Sequence, residues 1–317
     1  MARLTSWRAA AAAAVLAACA APEPVVDGFD APALAAAMRE RPVVLLGEVH
    51  DNAVQHAVRA QALRLLLQAG ARPALAFEQF DRSQQAEIDR VVARATSSGV
   101  NAAVQLAALG AAGWDWNLYR PYLELALQYR LPIVAANLSR ADAMRVSKEG
   151  LGAVFDAAGQ HSLGLDRLPD DLLRAQEREV DRGHCHQMPV DMLPALARAQ
   201  IARDATLALA IRPYLEMGVV LLTGNGHARR DIGVPRFLPA ADRERVVSIG
   251  LIERDAPADA APPGAFDVVF RTPVQQRVDP CLKLPRAALT PGLSPTGVGA
   301  GRNSGLPSPA QRAGGRG

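Results

Sequence analysis

Two short apolar runs constrain this chain more than any other feature. Val43-Val44-Leu45-Leu46 passes directly into Gly47-Glu48-Val49-His50, and Val219-Val220-Leu221-Leu222 passes into Thr223-Gly224-Asn225-Gly226-His227. Neither run alternates apolar with polar residues. A strand without alternation is buried on both faces, the condition of a parallel sheet covered by helices on each side. In open sheets of that kind, ligands bind beyond the carboxyl ends of the strands. Each run leads into a Gly and a His, so two distant parts of the chain are predicted to build one pocket.

The intervening segments fit that architecture. Val54, Ala57, Val58, Ala62, Leu65 and Leu66 recur at helical spacing until Gly70, behind a cap at Asp51 or Asn52. A strand over 73–77 leads to Glu78, and Ser83 opens another helix. A helix bearing Tyr122, Leu123, Leu125, Ala126 and Tyr129 precedes a strand over 132–136. A long helix over 194–217 is expected to break near Pro213, which has no N–H to donate. Later strands are expected over 246–252 and 268–271. Strand–helix alternation predicts an α/β fold with a mostly parallel sheet and helices on both faces. Residues from about 140 to 195 break the alternation and read as a helical insertion within a domain spanning 33–282.

Both ends of the chain have their own character. Arg3 and Arg8 precede an Ala-rich apolar stretch over 9–16, too short to remain as a membrane span. Leu16-Ala17-Ala18-Cys19 matches the lipobox of bacterial lipoproteins, with an ordinary secretory signal and an incidental Cys as the alternative. On the lipobox reading, 1–18 is a signal peptide, Cys19 is lipidated and 19–32 is a tether. Ala20 rather than Asp follows the Cys, which points to the outer membrane, facing the periplasm. Residues 283–317 are rich in Gly, Pro, Ser and Ala without apolar periodicity, and are expected to be disordered.

The formal charge of +3 misleads unless it is located. Arg3 and Arg8 lie in the signal; Lys283, Arg286, Arg302, Arg312 and Arg316 lie in an acid-free tail. Without those seven cations the remainder carries −4, so nucleic acid is not an expected partner. Beyond Cys19 only Cys185 and Cys281 remain. In an oxidising compartment they can form a disulfide, contributing about 4–5 kcal/mol in the chain-entropy model, or stay as two thiols.

Glu48, His50, Glu78 and His227 all fall at strand ends. Two carboxylates and two imidazoles suit a divalent metal, and equally suit acid/base pairs in which a carboxylate orients an imidazole. Arg229 and Arg230 follow the last His and could hold a ligand's carboxylate or phosphate, against a solvated helix start. Gly183-His184-Cys185-His186-Gln187-Met188 gathers metal-type ligands but lacks Cys-x-x-Cys-His, so covalent haem attachment is not expected. A disulfided loop with exposed His residues is the alternative there. Trp114, Trp116, Tyr119 and Tyr122 concentrate aromatics in a chain with few, as a cofactor wall or as core. His56 and His161 have no partner context and read as structural or surface residues.

Several blocks together resemble the ChaN-type haem-binding lipoproteins of the Tiki superfamily. They are Leu45-Leu46-Gly47-Glu48-Val49-His50-Asp51-Asn52, Phe77-Glu78-Gln79-Phe80, Tyr119-Arg120-Pro121, Asn137-Leu138-Ser139-Arg140, His184-Cys185, Ala199-Gln200-Ile201-Ala202-Arg203-Asp204-Ala205 and Gly224-Asn225-Gly226-His227-Ala228-Arg229-Arg230. Ser139 stands where the family pattern has Pro. The resemblance implies an α/β fold, a lipid anchor, non-covalent haem, a role in haem and iron acquisition, and a homodimer formed around haem. His184, His186, Tyr119, Tyr122, Arg229 and Arg230 are the candidate haem contacts. The wider superfamily includes metal-dependent proteases and erythromycin-esterase-like hydrolases. A hydrolase is therefore the alternative function, with Glu48, His50, Glu78 and His227 as metal ligands or as the acid/base set.

Overall fold

The computed structural model describes residues 25–26, 28–95, 100–278 and 280–283. The expected signal peptide, Cys19 and the tail from 284 onward lie outside the described residues. The sheet contains β1 (Val25–Val26), β2 (Val43–Leu46), β3 (Ala74–Asp81), β4 (Ile133–Asn137), β5 (Val219–Leu222), β6 (Val246–Glu253) and β7 (Val268–Thr272). Their order is β1-β7-β6-β2-β5-β3-β4, and every pairing is parallel. Six strands form the α/β sheet proper; β1 adds two residues at one edge, inside the segment read as a tether.

Strand geometry explains why β2 and β5 are apolar throughout. Successive side chains point to opposite faces. Val43, Leu45, Val219 and Leu221 enter one core with the helix Leu193–Ile211. Val44, Leu46, Val220 and Leu222 enter the other, with helices Ala31–Met38, Ala53–Gln68 and Trp116–Gln128. Each fully buried Val or Leu contributes roughly 1.5–3 kcal/mol, so neither face tolerates a polar residue.

Local chemistry sets the helix boundaries. Asn52 caps Ala53–Gln68, its side chain accepting from the Gln55 N–H at 3.0 Å. Asp115 and Ser139 cap Trp116–Gln128 and Arg140–Glu149 in the same way. The long helix stops at Ile211 and tightens into a 3-10 turn over Arg212–Tyr214, around Pro213. Between β4 and that helix the chain forms Arg140–Glu149, Ala157–Leu163 and Asp170–Gly183. The helix Val100–Leu109 is not predicted from the sequence, because alanines hold many of its positions and blur the apolar periodicity. β3 also runs past the predicted end at Phe77 to Asp81, with a register shift against β4 between Phe77 and Asp81. No described helix is long and apolar enough to cross a membrane.

Candidate functional site

A cavity of about 160 Å³ lies beyond the carboxyl ends of β2, β3 and β5. Glu48, His50, Glu78, Asp204, Gly224 and His227 line it, and the helix Asp170–Gly183 closes its outer side. Asn225 fixes the relative position of three strand ends. Its side chain donates to the Leu251 carbonyl at 2.7 Å and accepts from the Leu251 N–H at 3.0 Å, while its own N–H donates to the Glu48 carbonyl at 3.1 Å. Gly47 is required beside it, because a Cβ there would collide with the Asn225 side chain. At Gly224 a Cβ would come within 2.9 Å of the His50 ring.

The β2 end carries a buried polar network. The Glu48 carboxylate, 2% exposed, accepts from Arg59 and from the Tyr119 hydroxyl. His50 Nδ1 lies 2.8 Å from Glu48 Oε1. With the carboxylate as acceptor, the proton is assigned to Nδ1 and the lone pair stays on Nε2. Burial lowers the pKa of His50, with His227 adding to the effect and Glu78 and Asp51 opposing it, so the ring is held neutral. Trp114 packs edge-on against the ring at 4.7 Å. Beneath, His56 Nε2 lies 3.0 Å from the His50 carbonyl, and Tyr122 donates to the His56 carbonyl at 3.0 Å. Burial pushes the pKa of His56 down to about 4, so it is a neutral structural residue.

The opposite wall is charged. Glu78 Oε2 accepts from the Thr223 hydroxyl and the Gly224 N–H, both at 2.7 Å. Burial works against its ionisation, but His227, His50 and these two donors together hold its pKa below the usual value. His227 Nδ1 lies 2.7 Å from Asp204 Oδ1, and its Nε2 lies 3.5 Å from Glu78 Oε1. Gln176 donates to Asp204 Oδ2 at 2.9 Å. Burial opposes a charge on His227, yet the two carboxylates outweigh it and push its pKa up to about 9. Burial raises Asp204 to about 6. The wall is an imidazolium between two carboxylates.

This arrangement fixes a pH dependence. An unfolded imidazole titrates near 6.5, whereas folded His227 titrates near 9. Its stabilisation is complete below about pH 6.5 and is lost as pH rises through about 9. The shift corresponds to about 3 kcal/mol at most. Asp204 has finished titrating by then, so the alkaline limb belongs to His227. His227→Gln is expected to flatten the decline in urea midpoint between about pH 7 and 9.5. An unchanged decline would exclude the pair as its source.

The structure brings Glu48, His50, Glu78 and His227 to one cavity. Among the described residues, no three His, Cys, Asp or Glu side chains are grouped to hold an ion. Glu48 is taken by Arg59, Tyr119 and His50, Glu78 by Thr223 and Gly224, and His227 by Asp204. Tyr119 and Tyr122 do not face a ligand either, since both are fully buried beneath the site. Arg229 pairs with Asp231 and Glu179, and Arg230 with Asp267, so the expected anion contacts are satisfied internally. His184 is buried at the cavity wall, with Nδ1 at 2.7 Å from the Val180 carbonyl. His186 is exposed and pairs with Asp181 at 2.7 Å. Cys185 is bonded to Cys281, which ties the loop after Asp170–Gly183 to the C-terminal segment.

Arg59, Asp204 and Gln176 belong to the site without having been singled out as site residues. Asp204 had a readable signal, as a lone acid among the alanines and leucines of a helix buried along most of its length. Arg59 had a weaker one, a cation within an apolar helical stripe.

A family model described as haem-binding uptake, Tiki superfamily, ChaN matches residues 34–238. Among solved structures, one described as cofacial heme binding to ChaN of Campylobacter jejuni superposes with a TM-score of 0.59 at 18% identity, covering 75% of this chain and 90% of that one. A mutant erythromycin esterase in its open conformation gives 0.40 at 13% identity, covering 74% and 77%. The type III effector HopBA1 gives 0.43 at 14% identity, covering 82% and 100%. No curated protein matches the sequence.

Proposed function

The chain belongs to the ChaN haem-binding uptake family of the Tiki superfamily, and from that premise we propose that it binds haem non-covalently over the β2–β5 cavity as a lipid-anchored protein of haem and iron acquisition. The observation that carries this reading is His50. Its Nδ1 is committed to Glu48, no hydrogen bond found among the described residues takes its Nε2, and the ring lines the cavity. An imidazole oriented by a carboxylate is a strong iron donor. Haem would supply the iron and a flat apolar surface; His50 would hold the iron, with Trp114 beside it.

The cavity's size supports a reading of how the group would be held. Pockets that enclose drug-sized ligands run from about 300 Å³ upward, and this cavity is about 160 Å³. Haem would therefore cover the mouth rather than enter, leaving one apolar face exposed. A second copy of the chain would shield that face, which supports a homodimer around the cofactor.

Titration of purified chain with haemin tests the proposal. A saturable Soret shift is expected. Absorbance that follows free haemin throughout would reject it.

One observation favours hydrolysis as a second reading. His50 has the tautomer of a general base, and His227 is a protonated acid across the same cavity. This is the metal-free version, because the carboxylates are already bonded. Turnover of simple esters that vanishes in His50→Ala would support it; an inert wild type across ester and peptide panels would end it.

A further inference from the structure

We propose that the amino-terminal rim of the sheet, opposite the cavity, is a docking face for an anionic lipid bilayer. A groove of about 410 Å³ runs across the strand starts. The Val219 N–H donates to the Pro42 carbonyl, and the Ala74 N–H to the Gly218 carbonyl, which places the groove below β2, β5 and β3. Arg39, Arg41 and Arg72 line it, and Glu40 is the single acid among its described lining residues. Arg39 and Arg41 are exposed and have no ion-pair partner among the described residues. Arg72 is braced by the carbonyls of Leu67 and Ala71 at 2.8 and 2.7 Å and by the Tyr129 ring at 5.0 Å. Bracing removes part of the ordering cost of meeting a phosphate. Met217, 52% exposed, adds an apolar contact beside them. Guanidinium groups flanking an exposed apolar side chain match anionic headgroups above acyl chains.

The chain direction independently selects the same rim. β1 pairs parallel with β7, Val25 with Val269 and Val26 with Phe270. Val25, the first residue of β1, therefore stands at the strand-start rim. Cys19 lies six residues before Val25, so a lipid there could stand no more than about 20 Å from β1. The approach geometry rests on the lipid anchor proposed above. Bound this way, the protein would turn its cavity away from the bilayer.

The test removes the lipid so that the face is measured alone. The chain from residue 19 onward, carrying Cys19→Ser, is sedimented with vesicles of phosphatidylglycerol and phosphatidylcholine, and with phosphatidylcholine alone. Binding to the mixed vesicles only, weakening as salt rises, is expected. The triple variant Arg39→Gln, Arg41→Gln, Arg72→Gln should lower the partition coefficient by about 100-fold, on the order of fivefold per arginine. Its haemin titration should match that of the parent. Equal binding to both vesicle types, or a triple variant that partitions like the parent, would overturn the proposal. Mass measurement of Cys19 in chain recovered from membranes reports separately on the anchor.

Discussion

His50→Ala is expected to weaken haemin binding by about 100-fold or more and to change the Soret maximum. Removing an outer partner of a metal ligand typically costs 10–100-fold, and losing the ligand itself should cost at least as much. The placement of three other candidates supports the expectation. Tyr119 and Tyr122 are sealed in the core, and both nitrogens of His227 face carboxylates. Gly224→Ala sharpens the test without replacing the ligand residue. The added Cβ would sit 2.9 Å from the His50 ring and force it to move. Its affinity should fall toward that of His50→Ala while the fold survives. A His50→Ala protein with an unchanged spectrum and affinity would show that iron is held elsewhere.

Arg59→Met should be the most destabilising of the site substitutions, at about 3–5 kcal/mol. Arg59 is fully buried, and its Nη1 pairs with Glu48 while Nη2 donates to the Leu46 carbonyl at 3.0 Å. Its guanidinium also lies 5.5 Å from the Tyr122 ring centroid. Met fills much of the volume but leaves the Glu48 carboxylate buried without its counter-charge. The melting temperature should fall on the order of 10 °C. Combining Arg59→Met with Glu48→Gln should cost less than the two single changes summed, because the stranded charge disappears. A loss below about 1 kcal/mol for Arg59→Met would show that Tyr119 and His50 satisfy Glu48 unaided.

These two variants separate support from chemistry. Arg59 never reaches the cavity, so its loss acts through the position and charge of Glu48. His50 faces the cavity, so its loss leaves the network beneath largely intact. A protein stable without His50 but silent toward haemin would place function at the rim and stability below it.

The positions of Glu48, His50 and His227 could be read from the sequence because strands are short, directional and bounded by Gly. A run buried on both faces must end, and in a parallel sheet the ligand lies where it ends. Glu78 was equally visible as a position, though it proved to lie on an extended β3 rather than just past a shorter strand. Partner choice was not visible. Arg229 and Arg230 looked available until Asp231, Glu179 and Asp267 were found against them, and Glu179 and Asp267 are far away in sequence. Asp204 claims His227 from a helix, and Arg59 claims Glu48 from another, through contacts that no spacing rule encodes.

Periodicity and strand-end chemistry in the sequence alone thus determined an α/β sheet with a polar cavity at its carboxyl rim. Only the tertiary structure decided which polar groups there are still unspent. Hydrogen bonding and charge pairing depend on distances of a few ångströms between residues remote in the chain, and folding sets those distances all at once. That is why four polar residues read only as strand-end candidates became a neutral His50 resting on Glu48, facing an imidazolium held between two carboxylates.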